Sequence, residues 1–230
     1  MISSACGSPF NMQFAASHAL VGVRESCDMK PLTPSAANIC AVAVEHFADH
    51  GYDASSLNEI AVMAGMRKAS LYAHFSSKDA LFETVFKIAL RHEHQYVAAC
   101  FEEEGGRAGV PGQLHVECLI GRYEASAHLR FLLRTAYFPP ADIRAVITLG
   151  FEAYLAQIRQ YFQRATRDRY KWPAAHPEQL EVFCDAYLGI VDSLHVELIY
   201  AAPQAYAKRL AALLRVFSDS LSMLEGASRG

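Results

Sequence analysis

The chain has 230 residues, of which 52% are hydrophobic and 20% charged, with a formal net charge of -3. This is the balance of a protein that folds around a core; it excludes a disordered polyampholyte, and no apolar run approaches the roughly 20 residues of a membrane span. On a chain with net negative charge, contact with an anion has to come from a locally positive patch.

Residues 1–30 combine Ser, Gly, Pro and Ala with weak periodicity and are expected to form a disordered tail. No Lys or Arg precedes their apolar part, the first being Arg24, so they do not have the shape of a secretory signal, and the cytoplasm is the expected location. Translation from Met29 is an alternative start, and Lys30 would then lie on a short basic arm ahead of the first helix. The six cysteines, Cys6, Cys27, Cys40, Cys100, Cys118 and Cys184, have no Cys-x-x-Cys spacing and read as small buried hydrophobes.

Thr33-Pro34 begins the first helix, with Thr as cap and Pro pre-set for the first helical position. Ile39, Val42, Ala43, His46, Phe47 and His50 recur at helical spacing up to Gly51. His46 and His50 share a face, but no third ligand completes a metal set, so they read as packing or solvated residues.

From Ser55 to Lys78 the chain reads as two short helices joined by a tight turn. Leu57, Ile60, Ala61 and Ala64 occupy one face, Ser56 and Glu59 have the spacing of a capping box, and Gly65 supplies the turn. In the second helix Leu71 and Phe75 share one face, while Lys68 and Tyr72 share another. Arg67, Lys68 and Lys78 face no acidic residue between Met66 and Lys78. That is the pattern of a helix-turn-helix that lays its second helix in the major groove of DNA; a helical hairpin with solvated charges has the same spacing.

The residues Gly51-Tyr52-Asp53-Ala54-Ser55-Ser56-Leu57-Asn58-Glu59-Ile60-Ala61, Ala64-Gly65 and Ser70-Leu71-Tyr72-Ala73-His74-Phe75-Ser76-Ser77-Lys78-Asp79-Ala80-Leu81 together resemble the DNA-binding domain of the TetR/AcrR family of bacterial transcriptional regulators. The resemblance covers about 33–91. It implies an all-α protein: a three-helix helix-turn-helix domain joined by a connecting helix to a helical ligand-binding and dimerisation domain. It also implies a homodimeric repressor on a pseudo-palindromic double-stranded DNA operator, released by a small-molecule effector. The expected divisions are a helix-turn-helix domain at 31–78 with its reading pair at 55–75, a connecting helix at 79–104, and the larger domain at 105–230. Ser55, Tyr72 and Lys78 are expected on phosphates, and Lys68, Ala69, Ser70 and His74 on base edges; Arg67 suits either, and Ser56 belongs to the same surface. Arg67 replaces the family's usual Ser or Thr cap, and Ala69 a frequent Gly, so base preference is expected to be this chain's own.

The connecting helix starts behind Ser76-Ser77 and ends at Glu102-Glu103-Glu104-Gly105-Gly106. His92 and His94 within it are two apart, on different sides of a helix, so no metal site is expected there. Beyond the Gly- and Pro-containing stretch 105–112, helices are expected from about Gly112 to Tyr137 and, after Pro139-Pro140, from about Ala141 to Arg169. Arg164, Arg167 and Arg169, before Trp172-Pro173, read as a solvated helix end.

Two long helices close the chain, and their apolar positions are too many for one covered face. A four-helix interface between two copies is expected, carried by Phe183, Tyr187, Ile190, Val191, Leu194, Leu210, Leu214, Phe217 and Leu221. Effector-lining candidates are the polar and aromatic residues interrupting apolar faces: His115, Cys118, Arg122, His128, Arg134, Tyr137, Phe151, Tyr154, Tyr187, Asp192 and His195. Their aromatic character favours a hydrophobic or aromatic ligand. Control by a protein partner or by cysteine oxidation is the alternative. Asp192-Ser193-Leu194-His195 carries triad residue types without a nucleophile elbow; no enzyme, metal or cofactor is expected.

Overall fold

The structure, a computed structural model, describes residues 31–105, 107–170, 177–200 and 202–227. The tail at 1–30, with Cys6, Cys27, Met29 and Lys30, lies outside the described residues, as does Trp172-Pro173. Among the described residues the regular structure is entirely helical.

The first helix, α1 (Pro34–Ala54), is capped by Thr33, whose hydroxyl accepts from the Ala36 amide at 3.3 Å. It breaks at Gly51, where φ 77 and ψ 179 put the backbone in a region open essentially to glycine. In α2 (Leu57–Met63), Ser56 caps by accepting from the Glu59 amide at 3.1 Å. The reciprocal half of the capping box is not made: the Glu59 carboxylate turns to His46 at 3.4 Å. Gly65, at φ 70, turns the chain into α3 (Lys68–His74). Ser77 caps the long α4 (Lys78–Glu104) through the Ala80 amide at 3.1 Å. The stretch up to Tyr137 is two helices, α5 (Gln113–Ala125) and α6 (Ala127–Tyr137), meeting at Ser126, whose hydroxyl accepts from Leu129. A 3-10 turn at Ala141–Ile143, α7 (Arg144–Tyr170), α8 (Pro177–Tyr200) and α9 (Pro203–Ala227) complete the order.

Two hydrophobic cores result, and α6 contributes to both. The first joins Ile39 and Phe47 of α1, Ile60 of α2, Leu71 of α3 and Phe82 and Phe86 of α4 to Phe131 and Leu132 of α6. The Phe82 ring meets Phe47 edge-on at 4.9 Å and Phe131 at 5.0 Å, an arrangement that adds to the area buried. The second takes Leu129 and Leu133 of the same helix and packs them with Val97, Ile158, Phe162, Tyr187, Leu194 and Phe217. The first core therefore runs across the expected boundary at 78, because the small reading domain borrows its cover from α6.

Candidate nucleic-acid interface

The reading pair is held from one side only. Leu71 is the buried residue of α3, and Phe75 follows it into the core; Arg67, Lys68, Ala69, Ser70, Tyr72 and His74 all face solvent. The Lys68 ammonium lies 5.8 Å from the centroid of the Tyr72 ring, so the two form one surface. Arg67 occupies the cap position without a side-chain cap; its carbonyl accepts from the amides of Ser70 and Leu71, and its guanidinium is exposed. On α2, Val62 and Met63 are also exposed, which the helical spacing of its buried face implies.

Two residues expected on phosphates are placed otherwise. Ser55 is buried and its hydroxyl donates to the Gly51 carbonyl at 2.5 Å. Lys78 donates to the carbonyls of Tyr52 at 2.7 Å and Ser55 at 3.1 Å, with its ammonium 4.1 Å above the Tyr52 ring. The physical reason is the break at Gly51, which leaves carbonyls at the end of α1 in need of donors. The Tyr52 hydroxyl in turn donates to the Asp79 carboxylate; burial first, then Asp79, pushes the phenol well above its ordinary range and keeps the proton in place. Lys78, Tyr52 and Asp79 thus clamp the start of α4 to the end of α1.

The effector candidates do not form one group. Arg122 makes a two-pronged pair with the buried Glu93, donating at 3.2 and 2.6 Å, and Ser126 adds a third donor at 3.2 Å. Burial raises the Glu93 carboxyl, opposed by Arg122 and Ser126. His128 stacks on His92 at 4.1 Å and is held down to about 4 by burial, by His92 and by Arg122. His115 bonds Tyr187 at 3.0 Å and Tyr187 donates to the Gly112 carbonyl at 2.9 Å, an internal chain with no opening to solvent. Burial drives His115 to about 3 and the fully enclosed His195 to about 4, so both are neutral. Tyr154 is buried against the His94 ring, and Cys118 is half-buried. Arg134 reaches α1, donating to the carbonyls of Ala48 and Asp49 at 3.5 and 3.3 Å.

Of the candidates, Tyr137, Phe151 and Asp192 come together on a cavity, a groove of about 450 Å³ whose walls also include Leu155, Ser193 and Val196. Glu93 and Glu104, which hold the α4 end of this body, were not among the expected residues; Glu104 accepts from the amides of Gly112 and Leu114 at 2.6 and 2.8 Å. An acidic residue inside an otherwise apolar helical face was the available signal. Among the described residues, no group of three or more His, Cys, Asp or Glu is placed to hold a metal ion, and no helix is long and apolar enough to cross a membrane.

The expected pairing residues need correction. Tyr187, Ile190, Val191, Leu194, Phe217 and Leu221 are buried within the single chain, so their side chains stabilise the subunit and have no surface left for a partner. Phe183, Leu210 and Leu214 are half-buried on its margin. Among the residues that α8 leaves exposed, beside Asp185 and Asp192, are Val182, Ala186, Gly189, Val196 and Tyr200, with Ser193 half-exposed among them: a stripe at alternating four- and three-residue steps. On α9, Ala212, Val216 and Met223 are exposed in the same manner. Helical periodicity marked the buried side; the side available to a second copy is the opposite one.

Residues 39–85 match the family model described as bacterial regulatory proteins, tetR family. A 45-residue segment is 42% identical to the biofilm operon icaADBC HTH-type negative transcriptional regulator IcaR of Staphylococcus aureus (strain Newman), covering 20% of this chain and 24% of that protein. The match thus spans about a quarter of that relative's length. A putative TetR-family transcriptional regulator from Mesorhizobium loti MAFF303099 superposes with a TM-score of 0.60 at 21% identity, over 81% of this chain and 97% of that one. FadR of Bacillus subtilis, in complex with stearoyl-CoA, superposes with a TM-score of 0.56 at 16% identity, over 77% and 97%. These two likenesses extend the shared fold through the C-terminal helices.

Proposed function

We propose that this chain, whose residues 39–85 match the model of the tetR family of bacterial regulatory proteins, is a homodimeric repressor of that kind. Its α3 enters the major groove of a pseudo-palindromic operator, and a small hydrophobic or aromatic effector bound in the C-terminal helices releases it. The observation that carries the reading is α3 itself: a helix whose buried side is reduced to Leu71 and whose exposed side gathers Arg67, Lys68, Ser70, Tyr72 and His74 on a chain of net charge -3. Lys68, Ala69, Ser70 and His74 face base edges, Tyr72 a phosphate, and Arg67 either, with Ser56 beside them; Ser55 and Lys78 set the angle of the pair from behind. The exposed stripes of α8 and α9 favour pairing of two copies, which fixes half-sites about one helical turn apart.

Binding selection from random duplex DNA, followed by anisotropy on the enriched sequence, tests the proposal. A two-fold symmetric motif bound at least about a thousandfold tighter than random duplex at physiological salt is expected. Enrichment of no motif would refute it. Burial raises the thiols of Cys40 and Cys100 to about 12 and that of Cys184 to about 11, which disfavours these three cysteines as sites of an oxidation signal.

A further inference from the structure

The groove at the end of α6 has a specific chemical character. Its walls are the rings of Tyr137 and Phe151 and the aliphatic side chains of Leu155 and Val196, and Asp192 is the one ionisable acid or base among its lining residues apart from the Tyr137 phenol. Asp192 is exposed at the edge of the groove, and no Lys, Arg or His of the described residues forms an ion pair with it, whereas the buried carboxylates of this body have their donors: Glu93 has Arg122 and Ser126, Glu104 has two amides, and Glu197 has Arg209 at 2.6 Å. Partial withdrawal from water raises the Asp192 carboxyl, and partial burial followed by the charge of Asp192 raises the Tyr137 phenol, so the two groups lie close enough to act on one charge. A water-exposed carboxylate beside two aromatic rings, with no counter-ion of its own, is free to attract a ligand that brings the opposite charge. An anionic ligand meets repulsion there.

We infer that this groove takes an organic monocation, an ammonium- or amidinium-bearing molecule with an aromatic or alkyl body, whose charge lies against Asp192 and beside the Tyr137 and Phe151 rings. The inference rests on reading the C-terminal helices as the effector-binding body and names the class of effector. The groove volume of about 450 Å³ suits a small ligand of this kind. Ser193 and Val196 also belong to the exposed stripe of α8, so a second copy paired there borders the groove and narrows it. Occupancy has a direct route to the reading domain. Tyr137 is one turn beyond Arg134 on α6, and Arg134 holds the carbonyls of Ala48 and Asp49 at the end of α1. A body wedged against the last turn of α6 moves the group that holds α1.

The test compares three probes of nearly one shape on the full-length protein without DNA: 4-phenylbutyltrimethylammonium, its neutral tert-butyl isostere, and 5-phenylpentanoate. By calorimetry the cation should bind about tenfold or more tighter than the neutral probe, and the anion more weakly than either. Asp192→Asn should bring cation and neutral probe within about threefold of each other while leaving neutral binding and melting temperature unchanged, and Asp192→Glu should restore the preference. Equal binding of cation and neutral probe to the wild type, no binding by any of the three, or a preference that survives Asp192→Asn overturns the inference. So does an Asp192→Asn protein that dissociates into monomers with its cation preference intact, since the carboxylate would then serve the partner subunit. Release from the selected operator is read separately: a cation that binds through Asp192 and leaves DNA binding untouched upholds the site and refutes effector-released repression.

Discussion

Removing the positive half of the Glu93–Arg122 pair gives the most direct measure of what holds the C-terminal body together. The Glu93 side chain is 1% exposed and accepts two bonds from Arg122 and one from Ser126, whereas the Arg122 side chain is 23% exposed. Arg122→Met keeps much of the side-chain volume and removes the charge. A buried carboxylate left with one hydroxyl donor costs about 3–5 kcal/mol, and because Arg122 reaches water the lower half of that range is expected. For a chain of this size each kcal/mol corresponds to about 2–4 °C, so thermal unfolding at pH 7.5 should begin roughly 6–16 °C lower. Glu93→Gln in the same background removes the stranded charge and should recover most of the loss. Burial already raises the folded-state Glu93 carboxyl, and without Arg122 it rises further. A raised carboxyl contributes stability fully below its unfolded value and loses it as pH climbs through the folded one, so the deficit of Arg122→Met should shrink as pH falls from 7.5 toward 4.5. A loss below about 1 kcal/mol, or the same loss with and without Glu93→Gln, would refute the reasoning.

Acid should also weaken the wild type. His115, His128 and His195 are lowered to about 3, 4 and 4 from an ordinary 6.5, so their neutral forms stabilise the fold above 6.5 and that stabilisation is lost as pH falls toward 4; urea midpoints should drop over this window. Gly112→Ala should cost about 2 kcal/mol or more, because φ is +76 and the new methyl would lie 2.3 Å from the Tyr187 hydroxyl, whereas Gly121→Ala meets nothing within 4 Å and should be neutral or stabilising by urea titration. Lys78→Met should lower the melting temperature by leaving two carbonyls without their donor, at about 1–3 kcal/mol, and should change the salt dependence of DNA binding less than Arg67→Ala or Lys68→Ala, each of which should flatten it by about one unit. Gly189→Leu introduces a side chain where nothing of the subunit lies within 4 Å of the Cβ, so a shift from dimer to monomer in sedimentation would report contact with a second copy, and an unchanged dimer would remove α8 from the interface.

The reading pair was legible because its determinants are local. Ser56, Gly65 and the spacing of Leu57, Ile60 and Ala61 act within a few residues of one another, and α2, its turn and α3 follow them. The intrachain contacts of Lys78 were not legible for the opposite reason: a lysine after a cap reads as solvent-facing unless the break at Gly51, 27 residues earlier, is known to expose two carbonyls to it. Tyr187, Val191 and Leu194 show a different limit, since periodicity states that a face is covered and leaves open whether the cover is the same chain or another. The groove was legible in part: Tyr137, Phe151 and Asp192 were picked as interruptions of apolar faces, but residues of the same description on α5 went to separate internal contacts, because pocket membership is set by which helices adjoin.

The division of α6 between two cores bears on how such a protein can be recombined. Leu132 belongs to one core and its neighbour Leu133 to the other. A reading domain excised at 78 leaves Phe131 and Leu132 behind, and with them the rings against Phe47 and Phe82. Chimeras that exchange reading domains at that point would therefore inherit a seam whose two sides were never fitted to each other, and those carrying the matching face of α6 along with α1 to α4 should be the ones that remain folded.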